Sequence, residues 1–171
     1  MIISYGTTKR HGESIKRLKK SCESLGFPNY IIEIPDSFFS ENRFKYLYKP
    51  IFIRETLEKF NRPVIWMDAD SLLVKIPFIG ELNFDFGYVK SPPGSHKWFA
   101  DSCHVHTPKN IPFLHIWESF CAEEKGKSDH TQLIRAYNCM KEYDYFSSRD
   151  ISDWFKNCYI RNYKGHGEIH Y

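Results

Sequence analysis

Apolar positions along the chain recur with two different periods, and the changes of period mark out its elements. Met1-Ile2-Ile3-Ser4-Tyr5-Gly6 opens as a strand running into a small-residue loop, Gly6-Thr7-Thr8. Ile15, Leu18, Cys22 and Leu25 then recur at helical spacing, with Lys16, Arg17, Lys19 and Lys20 facing away and Gly26 as the stop. Tyr30-Ile31-Ile32-Glu33-Ile34 reads as a second strand, ended by Pro35. Such a β-α-β opening begins a nucleotide-binding half-fold, although no G-x-G-x-x-G is present. Residues 36–48 read as an irregular connection. Lys49-Pro50 opens a helix with Ile53, Leu57 and Phe60 on its buried face, and Asn61-Arg62-Pro63 ends it. Lys49 and Arg54, in its first turns, are candidates to reach a phosphate.

The chain is organised around Val64-Ile65-Trp66-Met67-Asp68-Ala69-Asp70-Ser71-Leu72-Leu73-Val74. Four apolar residues run straight into two carboxylates, which predicts a buried central strand of a parallel sheet. Ligands sit at the carboxyl ends of such strands. Asp68 and Asp70 would repel one another there unless a cation lay between them. Hard dications such as Mg²⁺ or Mn²⁺ take carboxylates together with substrate phosphates. The small Ala69 leaves room for a ligand close to the backbone. The plain alternative, a solvated acidic turn, does not call for an apolar strand in front of it.

Beyond this stretch, Leu72 to Ile76 reads as a short continuing strand and Phe84 to Val89 as a half-buried one, with Ser91 to Ser95 a loop. Cys103-His104-Val105-His106 is a further strand with both histidines on one face; no third ligand at zinc spacing accompanies them. Pro112, Phe113, Ile116, Trp117 and Phe120 lay out an amphipathic helix stopping near Gly126. Ser128 caps another, carrying Leu133, Ala136, Tyr137 and Met140. Tyr143 to Phe146 and Cys158 to Tyr163 are apolar-aromatic stretches of the tail. The pattern gives an α/β fold in one Rossmann-like domain, with a mostly parallel central sheet flanked by helices.

Composition narrows the function classes. At 171 residues, with 42% hydrophobic and 17% aromatic positions, a packed core is expected rather than disorder. A net charge of +3 is too small to argue for nucleic acid. Five scattered cysteines, odd in number and without a C-x-x-C, favour a reducing compartment over a disulfide framework. No apolar run approaches the length of a membrane span and no basic-then-apolar leader precedes the first strand. The expectation is a cytoplasmic protein.

Several stretches, in order along the chain, resemble the nucleotide-sugar-dependent glycosyltransferases of the GT-A fold, particularly the glycogenin and galactinol-synthase type. Val64 to Val74 resembles that family's "vlYLDADtlv" strand, and Lys49-Pro50 with the Ile53/Leu57 helix its lysine-bearing helix. Asp101-Ser102-Cys103-His104-Val105, followed by Thr107-Pro108, falls where the family has N-S-G-V and a small-Pro pair. Ser128-Asp129-His130-Thr131-Gln132-Leu133 resembles S-D-Q-x-x-L, and Asn162-Tyr163-Lys164-Gly165 the closing H-[FY]-x-G. The departures are Asp101 for Asn, Cys103 for Gly, His130 for Gln and Asn162 for the metal-binding His, with His166 four residues later. The chain is also short for this fold.

The resemblance implies a donor half at about 1–75 and an acceptor and metal-completing half at about 76–171. It implies transfer of a sugar from a nucleoside diphosphate donor, with uridine the expected base, to a carbohydrate, lipid or protein acceptor. Asp68 and Asp70 would hold Mn²⁺ or Mg²⁺, with Asn162 or His166 completing the site. Tyr5, Gly6, Thr7 and Thr8 would hold base and ribose; Lys49, Arg54, Ala69 and Ser102 would line the donor. Asp129, with His130 and Lys49, would stand beside the reacting sugar carbon. Two rival readings remain. One is a haloacid-dehalogenase-like phosphohydrolase, in which Asp68 attacks phosphorus and Asp70 is acid and base. The other is a sugar-nucleotide binding module without turnover.

Overall fold

The computed structural model describes residues 1–39, 42–91, 99–123, 128–163 and 167–170, with side chains for these except 42–46, 100, 101 and 160–170. Strand β1 (Ile2–Thr7) lies between β2 (Asn29–Ile34) and β3 (Val64–Met67), parallel to both. On the far side of β3 runs β6 (Phe99–His106), antiparallel, with Met67 opposite Cys103 and Val64 opposite His106. Strand β5 (Phe86–Lys90) is antiparallel to β6, and β7 (Ser148–Asp150) is parallel to β5. The six-stranded sheet therefore has the order β2-β1-β3-β6-β5-β7 with β6 alone reversed, the mostly parallel arrangement expected. The expectation for β3 itself needs one correction, since only one of its two neighbours is parallel.

Alternation along β1 and β3 builds a core on each face of the sheet. Ile2, Ile65 and Met67 point to the side where helix α1 (Thr8–Ser24) packs through Ile15, Leu18 and Cys22. Ile3, Val64 and Trp66 point to the other. There they meet α2 (Asn42–Phe60), α3 (Ile111–Glu123) and α4 (Asp129–Met140) through Phe52, Ile53, Leu57, Phe113, Trp117 and Leu133. A strand covered on both faces must be apolar throughout, which is why Val64 to Met67 shows no alternation in the sequence.

Three expected elements differ. Helix α2 begins at Asn42, after a 3-10 turn at Asp36–Phe39, so Pro50 lies inside it rather than at its first turn. The missing N–H and ring clash cost about 3 kcal/mol. Phe52, Ile53 and Leu57, each at most 3% exposed, stabilise by about 1.5–3 kcal/mol apiece and outweigh that cost. The run after Asp70 is only β4 (Ser71–Leu73), and it leaves the main sheet to pair antiparallel with β8 (Tyr159–Tyr163), itself paired with β9 (Gly167–His170). The next two amides, of Val74 and Lys75, both donate to the Cys158 carbonyl, and Val74 and Ile76 turn outward. Strand β5 is buried on both faces rather than one, because α5 (Ser152–Phe155) and Ile151 cover its second face. The apolar-aromatic tail stretch Tyr143 to Phe146 forms turns. The loop expected at 91–95 beyond Ser91, the helix stop at Gly126, and His166 lie outside the described residues.

Among the described residues no helix is long and apolar enough to cross a membrane. His104 and His106, completely buried on β6, bond to one another: Asn110 Nδ2 donates to His106 Nδ1, and His106 Nε2 lies 2.6 Å from His104 Nδ1. Burial pushes His106 down to about 3; burial, with His106, Lys49 and His130 near, pushes His104 well below the usual histidine range. Both are neutral when folded at pH values where the unfolded chain takes up protons. Their contribution to stability is therefore complete above about pH 6.5 and declines as pH falls towards 3. Urea midpoints measured across that window are expected to fall with pH, and His106→Leu is expected to flatten the slope.

Candidate active site

The carboxyl ends of β1 and β3 open onto a cavity of about 580 Å³. From β1 and the start of α1 come Tyr5, Gly6, Thr7, Arg10 and His11; from the turn after β2, Asp36 and Phe39. Lys49 reaches in from α2; Trp66, Asp68, Ala69 and Asp70 from the end of β3 and the turn after it; and Asp129 from the first residue of α4. The crevice at strand carboxyl ends is where open α/β sheets take ligands.

The Asp68-Ala69-Asp70 segment is held as a tight turn. The Asp68 amide donates to the Ser102 carbonyl at 3.0 Å, and the Ser71 amide donates back to the Asp68 carbonyl at 2.9 Å. One Asp68 oxygen, Oδ1, accepts from the Trp66 indole at 2.9 Å and from the Lys49 ammonium at 3.3 Å. The same ammonium lies 2.6 Å from Asp129 Oδ2 and 5.0 Å from the centre of the Trp66 ring. Lys49 is only 7% exposed, so these contacts are made largely out of water, where charge pairs are strong. Asp129 is placed by two ties. The Ser128 hydroxyl caps α4 by accepting from the Thr131 amide, and the Trp117 indole donates to the Asp129 carbonyl at 3.0 Å. An acid in the first turn of a helix also suits the positive end of its dipole.

The β1 wall is aromatic. Tyr5 is half-buried, with the rings of Tyr48, Phe52, Trp66 and Phe39 centred 4.9 to 6.2 Å away. Burial pushes its hydroxyl far above the usual phenol range, so it remains a neutral group. The small-residue loop expected here is absent: β1 ends at Thr7 and α1 starts at Thr8. Glycine at position 6 permits this, because a Cβ there would come within 2.6 Å of His11 Cβ and of Ile15 Cδ1. Thr7 closes the corner, its amide donating to His11 Nδ1 at 3.2 Å. Gly6→Ala is expected to push α1 off β1 and cost about 1–3 kcal/mol, read as a lower urea midpoint at unchanged m-value.

Of the residues singled out from sequence, the cavity gathers Tyr5, Gly6, Thr7, Lys49, Asp68, Ala69, Asp70 and Asp129. It does not gather Thr8, Arg54, Ser102 or His130. Thr8 is exposed at the start of α1. Arg54 is engaged elsewhere: its Nε donates to Glu118 at 2.7 Å and its NH1 to Glu58, joining α2 to α3. Ser102 is fully buried in β6 and serves through its carbonyl. His130 is buried on the inner face of α4, its ring 5.5 Å from that of Phe99. Asn162 falls on β8 and pairs with Glu168; its side chain lies outside the described set. Arg10, His11, Asp36, Phe39 and Trp66 line the cavity without having been singled out. Trp66 carried a signal, since an indole in an otherwise aliphatic strand needs a partner for its N–H.

The described lining carries four carboxylates (Asp36, Asp68, Asp70 and Asp129) against two fixed cations (Arg10 and Lys49), an excess of two negative charges. Among the described residues no group of three or more His, Cys, Asp or Glu side chains could enclose a metal. Two carboxylates do suit a dication whose shell is completed by phosphate oxygens.

No family model matches the sequence, and no curated protein matches it. Among solved structures the chain is similar to a glycosyltransferase involved in the glycosylation of the major capsid of PBCV-1. The TM-score is 0.66 at 14% identity, over 87% of this chain and 80% of that one. At that identity what is shared is the fold: this chain has a glycosyltransferase-like, Rossmann-like α/β fold.

Proposed function

We propose that the chain is a metal-dependent glycosyltransferase that uses a nucleoside diphosphate sugar, with uridine the base to test first. The observation that carries this reading is the surplus of two negative charges around Asp68 and Asp70, at the strand end where a donor would lie. A diphosphate would add more negative charge to that cavity, so its binding calls for a dication between it and the two carboxylates. Mn²⁺ or Mg²⁺ held there would act as a Lewis acid that neutralises the charge gathering on the leaving diphosphate.

The chain's own groups account for the rest. Tyr5 and Phe39 offer faces to a base, while Gly6 and Thr7 bring the β1 backbone close to a ribose. Asp68 and Asp70 fix the position of the diphosphate end. In the transfer, the bond between the anomeric carbon and the phosphate oxygen breaks with its electron pair leaving on the diphosphate. An acceptor hydroxyl oxygen forms the new bond and gives up its proton. Asp129 would orient donor hydroxyls or receive that proton, with Lys49 paired to its carboxylate. On this reading residues of about 1–75 bind the donor, and those of about 76–171 receive a carbohydrate, lipid or protein acceptor. Asn162 or His166 would complete the metal site.

The test is a thermal-shift series of nucleoside diphosphates and vanadate, each with Mn²⁺, Mg²⁺ or EDTA, followed by an assay of nucleotide release from the matching sugar donor. A ligand at 100 times its dissociation constant adds about 2.7 kcal/mol of stability. A metal-dependent shift with one base, plus release, is the expected outcome. A shift without release would leave a binding module. A shift only with Mg²⁺ and vanadate would point to phosphoryl chemistry.

A further inference from the structure

We infer that Lys49 is a resident counter-cation that makes metal capture at Asp68 and Asp70 conditional on arrival of the diphosphate. The inference rests on the metal site proposed above and concerns the order in which that site fills. The Lys49 ammonium stands 3.3 Å from Asp68 and 2.6 Å from Asp129, on a side chain 9% exposed. Asp68 Oδ1, the oxygen it contacts, also receives the Trp66 indole, so the charge on that oxygen is already offset by two donors. The Trp66 ring, 5.0 Å from the ammonium, further favours a cation at this spot.

A dication approaching the Asp68-Ala69-Asp70 turn therefore meets, at Asp68, a carboxylate already partly neutralised by a fixed positive charge. Charge repulsion at such range is weakly screened in a site this dry. A diphosphate changes the balance. Its negative charges offset the ammonium and supply the missing oxygen ligands, so metal and nucleotide each raise the affinity for the other. Reciprocal coupling of this kind is required by linkage once either ligand favours the other. Free metal then binds the empty cavity weakly, and the site fills chiefly when a nucleotide is present.

Replacing the ammonium with an apolar group of similar length takes its positive charge away from Asp68 and Asp129. Lys49→Met is expected to bind Mn²⁺ alone at least tenfold more tightly than wild type, measured by the electron paramagnetic resonance signal of free Mn²⁺. The factor by which UDP tightens Mn²⁺ binding is expected to shrink in the same variant, while Lys49→Arg keeps both values near wild type. Should Lys49→Met not fold by circular dichroism, Lys49→Gln carries the same test, because its amide still donates to the two carboxylates without charge. An unchanged or weaker affinity of the neutral variant for Mn²⁺ alone, with UDP coupling intact, overturns the inference and leaves the metal site standing. Absence of Mn²⁺ binding in wild type even with UDP overturns the metal site itself, and the inference with it.

Discussion

Asp70→Ala is expected to remove the metal-dependent part of nucleotide binding and leave the fold standing. Asp70 is half-buried in the cavity wall, and the turn that carries it is held by backbone bonds from Asp68 to Ser102 and from Ser71 to Asp68. None of those bonds uses the Asp70 side chain. The substitution therefore takes away one of two carboxylates from the proposed metal without releasing the backbone. The stabilisation by UDP and Mn²⁺ together, about 2.7 kcal/mol at 100-fold saturation in wild type, should collapse to the value seen with UDP and EDTA. Transfer should fall by about a hundredfold or more, the usual consequence of losing one electrostatic contact to a developing charge. A metal-dependent shift that survives in Asp70→Ala would remove this carboxylate from the site.

The largest effect on stability is expected at Trp117. Its side chain is fully buried between α3 and the sheet, with the His104 ring 5.9 Å and the Phe113 ring 6.4 Å away. Truncation to alanine should cost about 3–5 kcal/mol, because the core cannot close a space the size of an indole. In a chain of this size that is a fall of roughly 6–20 °C in melting temperature. The informative companion is Trp117→Phe. It keeps most of the volume and drops the 3.0 Å bond from the indole to the Asp129 carbonyl. A net hydrogen bond of this kind is worth about 1 kcal/mol, so the fold should hold while Asp129 loses its tie. If Asp129 acts as proposed, transfer should fall in Trp117→Phe with little change in nucleotide affinity. Equal losses in both would make Trp117 a packing residue only.

Much of this architecture was legible because the signals were local. The apolar run Val64 to Met67 met two carboxylates, Ile15, Leu18 and Cys22 kept helical spacing, and Ser128 preceded an acid and an apolar face. Each of these features is decided within a few residues. The errors arose where distant partners decide. Pro50 reads as a first-turn residue, but packing by Phe52, Ile53 and Leu57 carries α2 through it. Leu72 to Ile76 reads as one strand, but the Cys158 carbonyl ends it. Within the candidate site, Asp68, Asp70, Lys49 and Asp129 were readable, because their residue types and settings carry chemistry. Arg10, His11 and Asp36 were not, since a first-turn cation or a post-strand acid looks the same whether or not a cavity lies beside it. Arg54 shows the converse. A base near the start of α2 reads as a phosphate ligand until Glu118 and Glu58 are seen to hold it.

The Asp68-Ala69-Asp70 turn joins two sheets that are completed by very different parts of the chain. The strand in front of it, β3, is flanked by β1 and β6, whereas β4 behind it finds its partner only in β8, with Leu72 opposite Ile160. During synthesis the β1-α1-β2-α2-β3 portion can collapse early, since its contacts are close in sequence. Pairing of β4 has to wait for a strand nearly ninety residues further on, and closure of so long a loop is slow. The two ends of the turn thus differ: Asp68 follows β3, whose parallel neighbour β1 is near in sequence, and Asp70 precedes β4, whose partner is distant. A nascent chain paused before β8 would hold the Asp68 end of the turn on β3 while the strand behind Asp70 still lacked its partner.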